Sequence, residues 1–511
     1  MTRIARASLI IAFFFSIDKI LGLLRQVLFN RTFGAVERDI FFVSNNIPDL
    51  LSALISGGAL GMALIPVLTE YLDAKGRSHA WDLFSRILNL AFLVTAGIAL
   101  VIMIFARPLV EHIIAPGFND PTRWSLTVQL MRLDLAAILI FSISGLVMAG
   151  LQANQHFLTP AMAPAMYNLG QIAGIVFLAP RFGIFGLVYG VILGAVLHLG
   201  VQIPALLRYG FRWTGHIGLR HPGVVQVLIL MGPRVLSMLC LHFYFLARDR
   251  FASFFAEGAV SALNNGWFIM QLPETLIGTA IAIALLPSLS EYFNRFESDR
   301  FRDTVNGALR LLLALGLPAA VLLGIVIRPL IQAVFGFGPG ELDMVVWATR
   351  AFLLGLVGHM WLEVAVRSWY ANQEARIPLL GAVFQLVLFI PLALLLSRSL
   401  NSIGLGPAGI AMADTLAFTC QALLLLYLIN RRYPGLIKVG STLLRVGLAT
   451  CGAGLLAYLV LQHYIPGFYG AIIALFVSGI VVLPFLLPEI KLLVKLGAQP
   501  VVNETKSPIR A

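Results

Sequence analysis

The sequence predicts an all-α polytopic membrane protein, and three observations indicate it. Of the 511 residues, 59% are hydrophobic and only 12% are charged, against about 25% charged in an ordinary soluble domain. Apolar runs of about 20 residues, the length that crosses a bilayer as a helix, recur from end to end between short polar links. The longest polar interruption, residues 208–222, is too short to form a core of its own.

We predict about 14 transmembrane helices by the length that a bilayer demands. The first is a spanning helix and not a cleaved leader, because Asp18 and Lys19 interrupt its apolar run and no small-x-small cleavage pattern follows. The predicted spans are, in chain order, 7–29, 40–68, 87–114, 126–151, 161–180, 184–207, 224–247, 259–289, 311–335, 344–370, 379–396, 408–429, 443–460 and 471–487.

Lys and Arg residues concentrate in alternate links, while the intervening links contain fewer of them. The basic links carry Arg3 and Arg6; Lys75 and Arg77; Arg208, Arg212 and Arg220; Arg295, Arg300 and Arg302; Arg431, Arg432 and Lys438; Lys491 and Lys495. Because basic loops stay on the cytoplasmic side, we expect both termini to be cytoplasmic. The formal charge of +12 is dispersed among these links and forms no basic stripe, so we expect no nucleic-acid partner.

The chain contains two versions of one unit. Pro66 and Pro287 stand in matching phrases 221 residues apart, and Arg107-Pro108-Leu109 matches Arg328-Pro329-Leu330 at the same offset. A further match, Ala153-Asn154-Gln155 with Ala371-Asn372-Gln373, has an offset of 218. Six predicted spans separate the matching prolines, an even number, so the two copies run parallel.

The repeat predicts the domain organisation. Residues 1–215 form an N-terminal six-helix half, 216–435 a C-terminal six-helix half, 436–490 two additional transmembrane helices and 491–511 a cytoplasmic tail. Two such halves leave a central cavity between them, which rocking would open to alternate sides, as in transporters. The alternatives are a static scaffold or a channel, but charged residues at membrane depth favour a moving cavity.

The first two spans carry the charges that suggest a substrate path. Asp18, Lys19, Arg25, Asp39 and Asp49 lie within apolar helical sequence, where an ionisable residue normally faces water or a partner. Lys19 and Arg25 are six positions apart and so do not share one stripe of a straight helix. Asp18 can simply pair with a cation, and Asp39, at the start of its helix, can simply favour the helix dipole.

The second span is expected to be loosened by Pro48, which leaves backbone around Asn45 and Asn46 partly unpaired. A ladder of Gly186, Gly190 and Gly194 in the sixth span predicts close helix packing. Arg132 and Asp134 also lie at membrane depth, in the fourth span.

The later spans supply further candidates. Arg234 and His242 lie in the seventh span, and a guanidinium suits phosphate recognition. Arg234 faces a ligand or forms an internal ion pair, for which Glu274 is the expected counter-ion, and His242 is expected to be packed. Glu363 and Arg367 are spaced to pair with each other. Asp414 has no local partner in the sequence and is the candidate cation or proton site.

No Walker A, GxSxG, HExxH or paired-cysteine metal motif is present in the sequence. We therefore expect neither catalytic residues nor a metal site or other cofactor, and no enzyme activity. A coupling ion, Na⁺ or H⁺, or the membrane potential would have to drive transport.

Taken together, these motifs resemble those of the MurJ (MviN) family of lipid II flippases in the MOP exporter superfamily, over essentially the whole chain. The segments that carry the resemblance are Leu21-Gly22 with Arg25, Phe33-Gly34-Ala35 leading to Asp39 and Phe41-Phe42-Val43, Pro48-Asp49-Leu50-Leu51, Gly58-Ala59 with Pro66, Ala115-Pro116-Gly117-Phe118, Pro160 with Ala163-Pro164 and Asn168, Met231-Gly232-Pro233, and Leu285-Leu286-Pro287-Ser288-Leu289-Ser290.

The resemblance implies a monomeric carrier in the bacterial plasma (inner) membrane that moves the undecaprenyl-diphosphate-linked peptidoglycan precursor from the inner to the outer leaflet by alternating access. It implies a cationic cavity, with Arg25 and Asp39 at matching functional positions and Lys19 in place of an arginine. It also implies a groove for the polyprenyl tail that involves the last two helices. Membrane lipids are the remaining expected partners.

Two departures from the family pattern leave the cargo open. Ser52 and Phe268 stand where the family has arginines, and we hypothesise that Arg234 supplies a cation instead. The alternatives are a related MOP-type carrier of another polyprenyl-linked saccharide or a small solute and, from another class, an integral membrane glycosyltransferase or polymerase. The glycosyltransferase or polymerase would need a sizeable extracytoplasmic loop or a carboxylate-rich site, whereas the outward loops here are short.

Overall fold

The computed structural model describes residues 3–55, 58–402 and 404–497. Throughout these ranges the regular secondary structure is helical. The α-helices are α1 Arg3–Thr32, α2 Ala35–Ile55, α3 Ala59–Ala74, α4 Arg77–Pro108, α5 Pro121–Ala153, α6 Leu158–Ala173, α7 Ala179–Phe182, α8 Ile184–Gly200, α9 Ile203–Arg208, α10 Pro222–Ala252, α11 Ala259–Pro273, α12 Ala280–Asn294, α13 Ser298–Phe335, α14 Pro339–Leu354, α15 Leu356–Ala371, α16 Arg376–Asn401, α17 Gly406–Arg432, α18 Gly440–Leu459 and α19 Gly467–Gly497.

Short π-helical turns extend or join several of these helices. They cover Leu109–Ile114, Gly174–Leu178, Glu274–Thr279 and Val460–Tyr464. Two of them follow a proline, at Pro108 and Pro273, where the missing N–H frees a carbonyl and widens the turn.

Twelve candidate membrane spans occur among the described residues, or 13 if the bent pair α14 and α15 is one span. The all-helical, polytopic prediction is thus confirmed, but the number of about 14 is not. The predicted span that is absent from both counts is α1, a helix of 30 residues whose apolar run is interrupted by Asp18, Lys19 and Arg25. The predicted tail begins inside α19, and residues 498–511 lie outside the described part of the chain.

The predicted span 40–68 is broken into α2 and α3. Gly58 lies at the break, where an added Cβ would come within 1.7 Å of the Ala53 carbonyl oxygen. Only glycine permits so close an approach between two backbone segments. Pro48, which was expected to loosen the span, lies inside the continuous helix α2.

The described residues divide into two compact units. Unit 1 comprises Met1–Asn264, Val334–Val345 and Ala393–Ile410, and unit 2 comprises Asn265–Ala333, Val346–Leu392 and Ala411–Ala511. In unit 1, buried residues of α3, α4, α5 and α10 form the main apolar core. In unit 2, α13, α18 and α19 share a separate core. Helix α10 belongs to unit 1, whereas the repeat assigns it to the second half; the division into halves stays a prediction.

The sequence repeat has a structural counterpart at one turn in each unit. Gln155 and Gln373 both adopt left-handed backbone conformations, with φ of 58° and 60°. In both copies the preceding asparagine, Asn154 or Asn372, donates its side-chain N–H to the carbonyl four residues earlier. A non-glycine residue at positive φ is uncommon, so the same exception in both copies supports the repeat.

Candidate functional site

The charged residues of α1 contact α6 within unit 1. The Asp18 carboxylate accepts a hydrogen bond from Asn168 Nδ2 at 2.8 Å, and Arg25 Nη1 donates to Gln171 Oε1 at 3.3 Å. Asp18 and Arg25 are seven residues apart and thus on one face of the helix. Lys19 is on a different face, exposed, with its Nζ 5.0 Å from the centre of the Phe15 ring.

Arg25 lies among acidic groups. Its guanidinium interacts electrostatically with the carboxylates of Asp18 and Asp49 and with the Tyr167 hydroxyl. Asp49 itself is exposed. The neighbourhood of Arg25 is therefore mixed in charge, and an anion that binds there must compete with two carboxylates.

Asp39 is buried on α2, and its carboxylate binds the backbone at the start of another helix. Its two carboxylate oxygens accept hydrogen bonds from the backbone N–H groups of Gly258 and Ser261, both at 2.7 Å. Gly258 immediately precedes α11 and Ser261 lies in its first turn, where the backbone N–H groups have no partner within the helix, and a negative charge stabilises that end of a helix. The prediction that Asp39 favours the dipole of its own helix is wrong, because α2 begins four residues earlier, at Ala35.

Asn46 makes a second contact from the same face of α2, seven residues after Asp39. Its Nδ2 donates to Asp249 Oδ2 at 3.1 Å. Asp249 also accepts from the buried Arg248, whose Nη2 donates to Asn264 Oδ1 at 2.6 Å. Asn45 instead donates to the Phe41 carbonyl at 2.9 Å and keeps its hydrogen bond within α2.

Arg38 completes this set of contacts. Its side chain is 4% exposed and forms an ion pair with Glu341, and its guanidinium lies 4.9 Å from the centre of the Phe337 ring. We use the name α2 contact cluster for the residues that join α2 to other helix ends in unit 1. They are Arg38, Asp39, Asn46, Asp249, Gly258, Ser261 and Glu341.

The two candidates on α10 differ in environment. Arg234 is exposed and His242 is half-buried. Arg234 belongs to unit 1 and Glu274 to unit 2, and their pairing stays a prediction. Glu274 is buried and accepts a hydrogen bond from Thr279 Oγ1 at 3.0 Å, across the π-helical turn.

Asp414 is fully buried in unit 2 and has a neighbour that the sequence did not reveal. His359 Nε2 on α15 lies 3.4 Å from Asp414 Oδ2. The imidazole ring is flanked by Phe418 and Trp267, with centroids 4.3 and 5.3 Å away. This buried histidine and aspartate can share one proton between them. Close by in sequence, Glu363 and Arg367 form the expected i,i+4 pair.

Sequence reasoning missed Arg38, Arg248, Asp249 and His359. The first three lie outside the predicted spans, which begin at residue 40 and end at residue 247, whereas α2 and α10 extend beyond these limits. The sequence signal for these three residues is a charged side chain just outside an apolar run. His359 sits inside an apolar run and gave none.

Among the described residues, no group of three or more His, Cys, Asp or Glu side chains could hold a metal ion.

Comparisons with known proteins identify a family. The family model described as "Lipid II flippase MurJ" matches residues 29–477. The "Lipid II flippase MurJ" of Burkholderia cenocepacia is 29% identical over 476 residues, which cover 87% of this chain and 89% of that protein. The "Probable lipid II flippase MurJ" of Vibrio cholerae is 27% identical over 421 residues, 80% of each chain.

Solved structures share the fold. One described as "Lipid II flippase MurJ, inward closed conformation" aligns with a TM-score of 0.81 at 21% identity and covers 95% of this chain and 100% of that one. An inward-facing multidrug resistance MATE family transporter of the MOP superfamily aligns with a TM-score of 0.69 at 15% identity, over 82% of this chain and 95% of that one.

Proposed function

Because the chain belongs to the lipid II flippase MurJ family, we propose that it carries lipid II from the inner to the outer leaflet of the bacterial plasma membrane by alternating access. The observation that carries the proposal is the family match over residues 29–477. In this role the protein is a carrier and not an enzyme, it acts as a monomer, and both of its termini are cytoplasmic.

Arg25 is the residue that we propose to bind the diphosphate. Hydrogen bonds from a charged donor contribute about 1.5–3 kcal/mol each, and a guanidinium fits phosphate oxygens bidentately. Lys19 and Arg234 are both exposed, so their charges are available to a ligand and we propose them as further cations of the cavity. Asp18, Asn45, Asp49 and His242 have supporting roles.

The α2 contact cluster is our proposed outer gate. Alternating access requires contacts that hold at one stage and break at another, and short hydrogen bonds between Asp39 and the start of α11 fit this need. Asn46, Asp249 and the Arg38–Glu341 pair would open with them.

For the driving force we propose proton or Na⁺ binding at Asp414, with His359 as its neighbour. A buried ionisable pair within membrane-spanning helices is the kind of group that couples ion movement to transport. Glu274, buried in the same unit, would supply a further carboxyl.

Complementation tests the cargo. Cells depleted of their own lipid II flippase should survive with this chain and show lipid II in the outer leaflet, scored directly by a labelling assay. Arg25→Ala should abolish the rescue, whereas Arg300→Ala, at a surface pair with Glu297, should not. Failure of the wild-type chain despite correct insertion would favour another polyprenyl-linked saccharide or a small solute, consistent with Ser52 and Phe268 at the two arginine positions.

A further inference from the structure

Two arginines share one buried carboxylate in unit 2. Arg310 Nη2 of α13 donates to Glu489 Oε1 of α19 at 3.0 Å, and Arg445 Nη2 of α18 donates to Glu489 Oε2. Thr442 Oγ1 accepts a hydrogen bond from Arg310 Nε and donates one to Glu489 Oε1, both at 2.9 Å. We call these four residues the Glu489 cluster. Because both guanidinium groups bind the same carboxylate, they lie side by side.

The charges of the Glu489 cluster do not balance. Two arginines bring two positive charges and Glu489 brings one negative charge, and in the described part of the chain no second carboxylate pairs with either arginine. The side chains of Arg310 and Arg445 are only 26% and 35% exposed, so water and salt screen the remaining charge incompletely. An arginine cannot lose its charge by deprotonation. One positive charge is therefore left over, which favours the binding of an anion.

The Glu489 cluster lies at the depth of lipid headgroups. Arg310 directly precedes one predicted apolar span, Glu489 follows another by two residues, and Arg445 lies in the second turn of α18. The adjoining ends of α13, α18 and α19 lead into links of the basic set, which we expect on the cytoplasmic side. The cluster is thus near the boundary between the hydrocarbon and the phosphates of the cytoplasmic leaflet.

An exposed apolar face leads away from Arg445 along α18. Leu448 and Leu455, three and ten residues after Arg445, are 68% and 60% exposed, and Gly452 between them is exposed as well. At spacings of three, seven and ten residues, these positions share one side of a helix. A lipid chain that lies along this face places its headgroup beside the guanidinium of Arg445.

We propose that Arg310 and Arg445 bind the phosphate of an anionic phospholipid, with one acyl chain along the Leu448 face of α18. Guanidinium groups bind phosphate oxygens through paired N–H groups, and basic pockets between transmembrane helices on the cytoplasmic side suit anionic lipid heads. A phosphodiester carries one negative charge, which matches the charge that Glu489 leaves uncompensated. A diphosphate would bring additional negative charge next to Glu489, so the occupant is a bilayer lipid and not the cargo.

The bound lipid would hold α13 to the last two helices. Its phosphate contacts arginines of both α13 and α18, and a ligand that binds only the folded state stabilises it in proportion to its occupancy. The choice of leaflet rests on the proposed topology, whereas the phosphate site does not.

Thermal unfolding of the full chain in detergent tests the site. Added dioleoyl phosphatidylglycerol should raise the midpoint of the wild type, and dioleoylglycerol, which has the same chains and no phosphate, should not. Arg445→Gln leaves Glu489 paired with Arg310 and should need about tenfold more phosphatidylglycerol for the same rise, because it loses a charge-assisted contact. The matched control is Arg432→Gln, at a half-exposed pair with Glu374, which should keep the wild-type response.

Native mass spectrometry provides a second measurement, on Arg445→Lys as well, which keeps the charge but not the forked donor group. The wild type should retain more phosphatidylglycerol than Arg445→Lys, and Arg445→Lys more than Arg445→Gln. Equal retention in all three, or an equal rise of the midpoint with dioleoylglycerol, would overturn the phosphate site. Stabilisation by inorganic phosphate alone, or displacement of phosphatidylglycerol by undecaprenyl diphosphate, would overturn the assignment to a bilayer lipid. None of these readings depends on what the protein transports.

Discussion

At the scale of single residues, the polar groups of this membrane protein differ mainly in whether they have a partner. Asp39 and Glu489 are buried and accept hydrogen bonds at both carboxylate oxygens, whereas the buried carboxyl of Asp414 accepts none from the described residues. In hydrocarbon surroundings the first kind fixes a contact and the second kind is suited to bind a proton. The same residue type thus takes opposite roles according to what faces it.

Replacing Asp39 should weaken the α2 contact cluster. Asp39→Ala removes both acceptors of the Gly258 and Ser261 N–H groups and should cost about 1.5–3 kcal/mol for each hydrogen bond lost to a charged group. Thermal unfolding in detergent and lipid II flipping measure the effect, and Asp39→Asn should be milder. Glu37→Gln is the control, because Glu37 accepts a hydrogen bond from the local Gly34 N–H; an equal loss in both variants would contradict the prediction.

The His359–Asp414 pair should couple ion binding to transport. Asp414→Asn or His359→Gln should flatten the dependence of transport on pH or on Na⁺, because the variant can no longer change charge at that position. Transport rates measured in proteoliposomes across a pH and a Na⁺ series give the result. Glu374→Gln, at a half-exposed surface pair, should retain the wild-type profile, and an unchanged profile in Asp414→Asn would exclude this pair.

At the scale of helices, glycine faces and buried ion pairs decide which helices stay together. The predicted glycine ladder of α8 allows the expected close packing of helices. A Cβ on Gly190 would lie 2.7 Å from Gly174 Cα, and one on Gly170 would lie 2.3 Å from Gly194 Cα. Backbones therefore touch where α8 crosses α6 and the π-helical turn after it. Small residues permit such contact in membranes, where dispersion forces do most of the packing.

Enlarging that interface should destabilise unit 1. We expect Gly190→Leu to cost about 1–3 kcal/mol or more through overpacking, seen as a lower midpoint of thermal unfolding. Gly97→Leu on α4 provides the comparison, because a Cβ there meets no atom within 4 Å. Similar midpoints for the two variants would show that the close approach does not matter for stability.

Glu489 should anchor the last two helices to α13. Arg310 lies on α13, Thr442 and Arg445 on α18, and Glu489 on α19, so one carboxylate joins three helices of unit 2. Glu489→Gln leaves two guanidinium groups without a counter-charge and should cost about 3 kcal/mol, as for a broken buried pair.

The surface variant Glu297→Gln is the control and should cost less than about 1 kcal/mol, because it breaks only an exposed pair with Arg300. Limited proteolysis between α18 and α19, together with thermal unfolding, would measure both variants. If Glu489 does not hold these helices together, the Glu489→Gln and Glu297→Gln variants should resist the protease equally.

At the scale of the whole molecule, the alternation of basic links predicts the orientation in the membrane. A reporter fused to either terminus should indicate a cytoplasmic location. The reason is that Arg3, Arg6, Arg431 and Arg432 lie in the basic links, and basic links stay in the cytoplasm. A fluorescent protein that folds only in the cytoplasm and an alkaline phosphatase that folds only outside it give opposite readings. An active phosphatase at either end would reverse the predicted topology.

The amino-acid sequence by itself determined the all-helical membrane fold, the internal repeat and the family. Hydrophobic run length, the parallel matches at Pro66 and Pro287 and motifs such as Pro48-Asp49-Leu50-Leu51 are local properties of the chain, so they can be read without coordinates. The expectation that Gly186, Gly190 and Gly194 allow close packing was confirmed for the same reason.

Only the tertiary structure decided which charges meet. Asp39 contacts α11 more than 200 residues away and Asp414 meets His359 on another helix, and neither contact follows from spacing along the sequence. The physical reason is that electrostatic energy depends on distance and burial in space, which are set by how the helices pack.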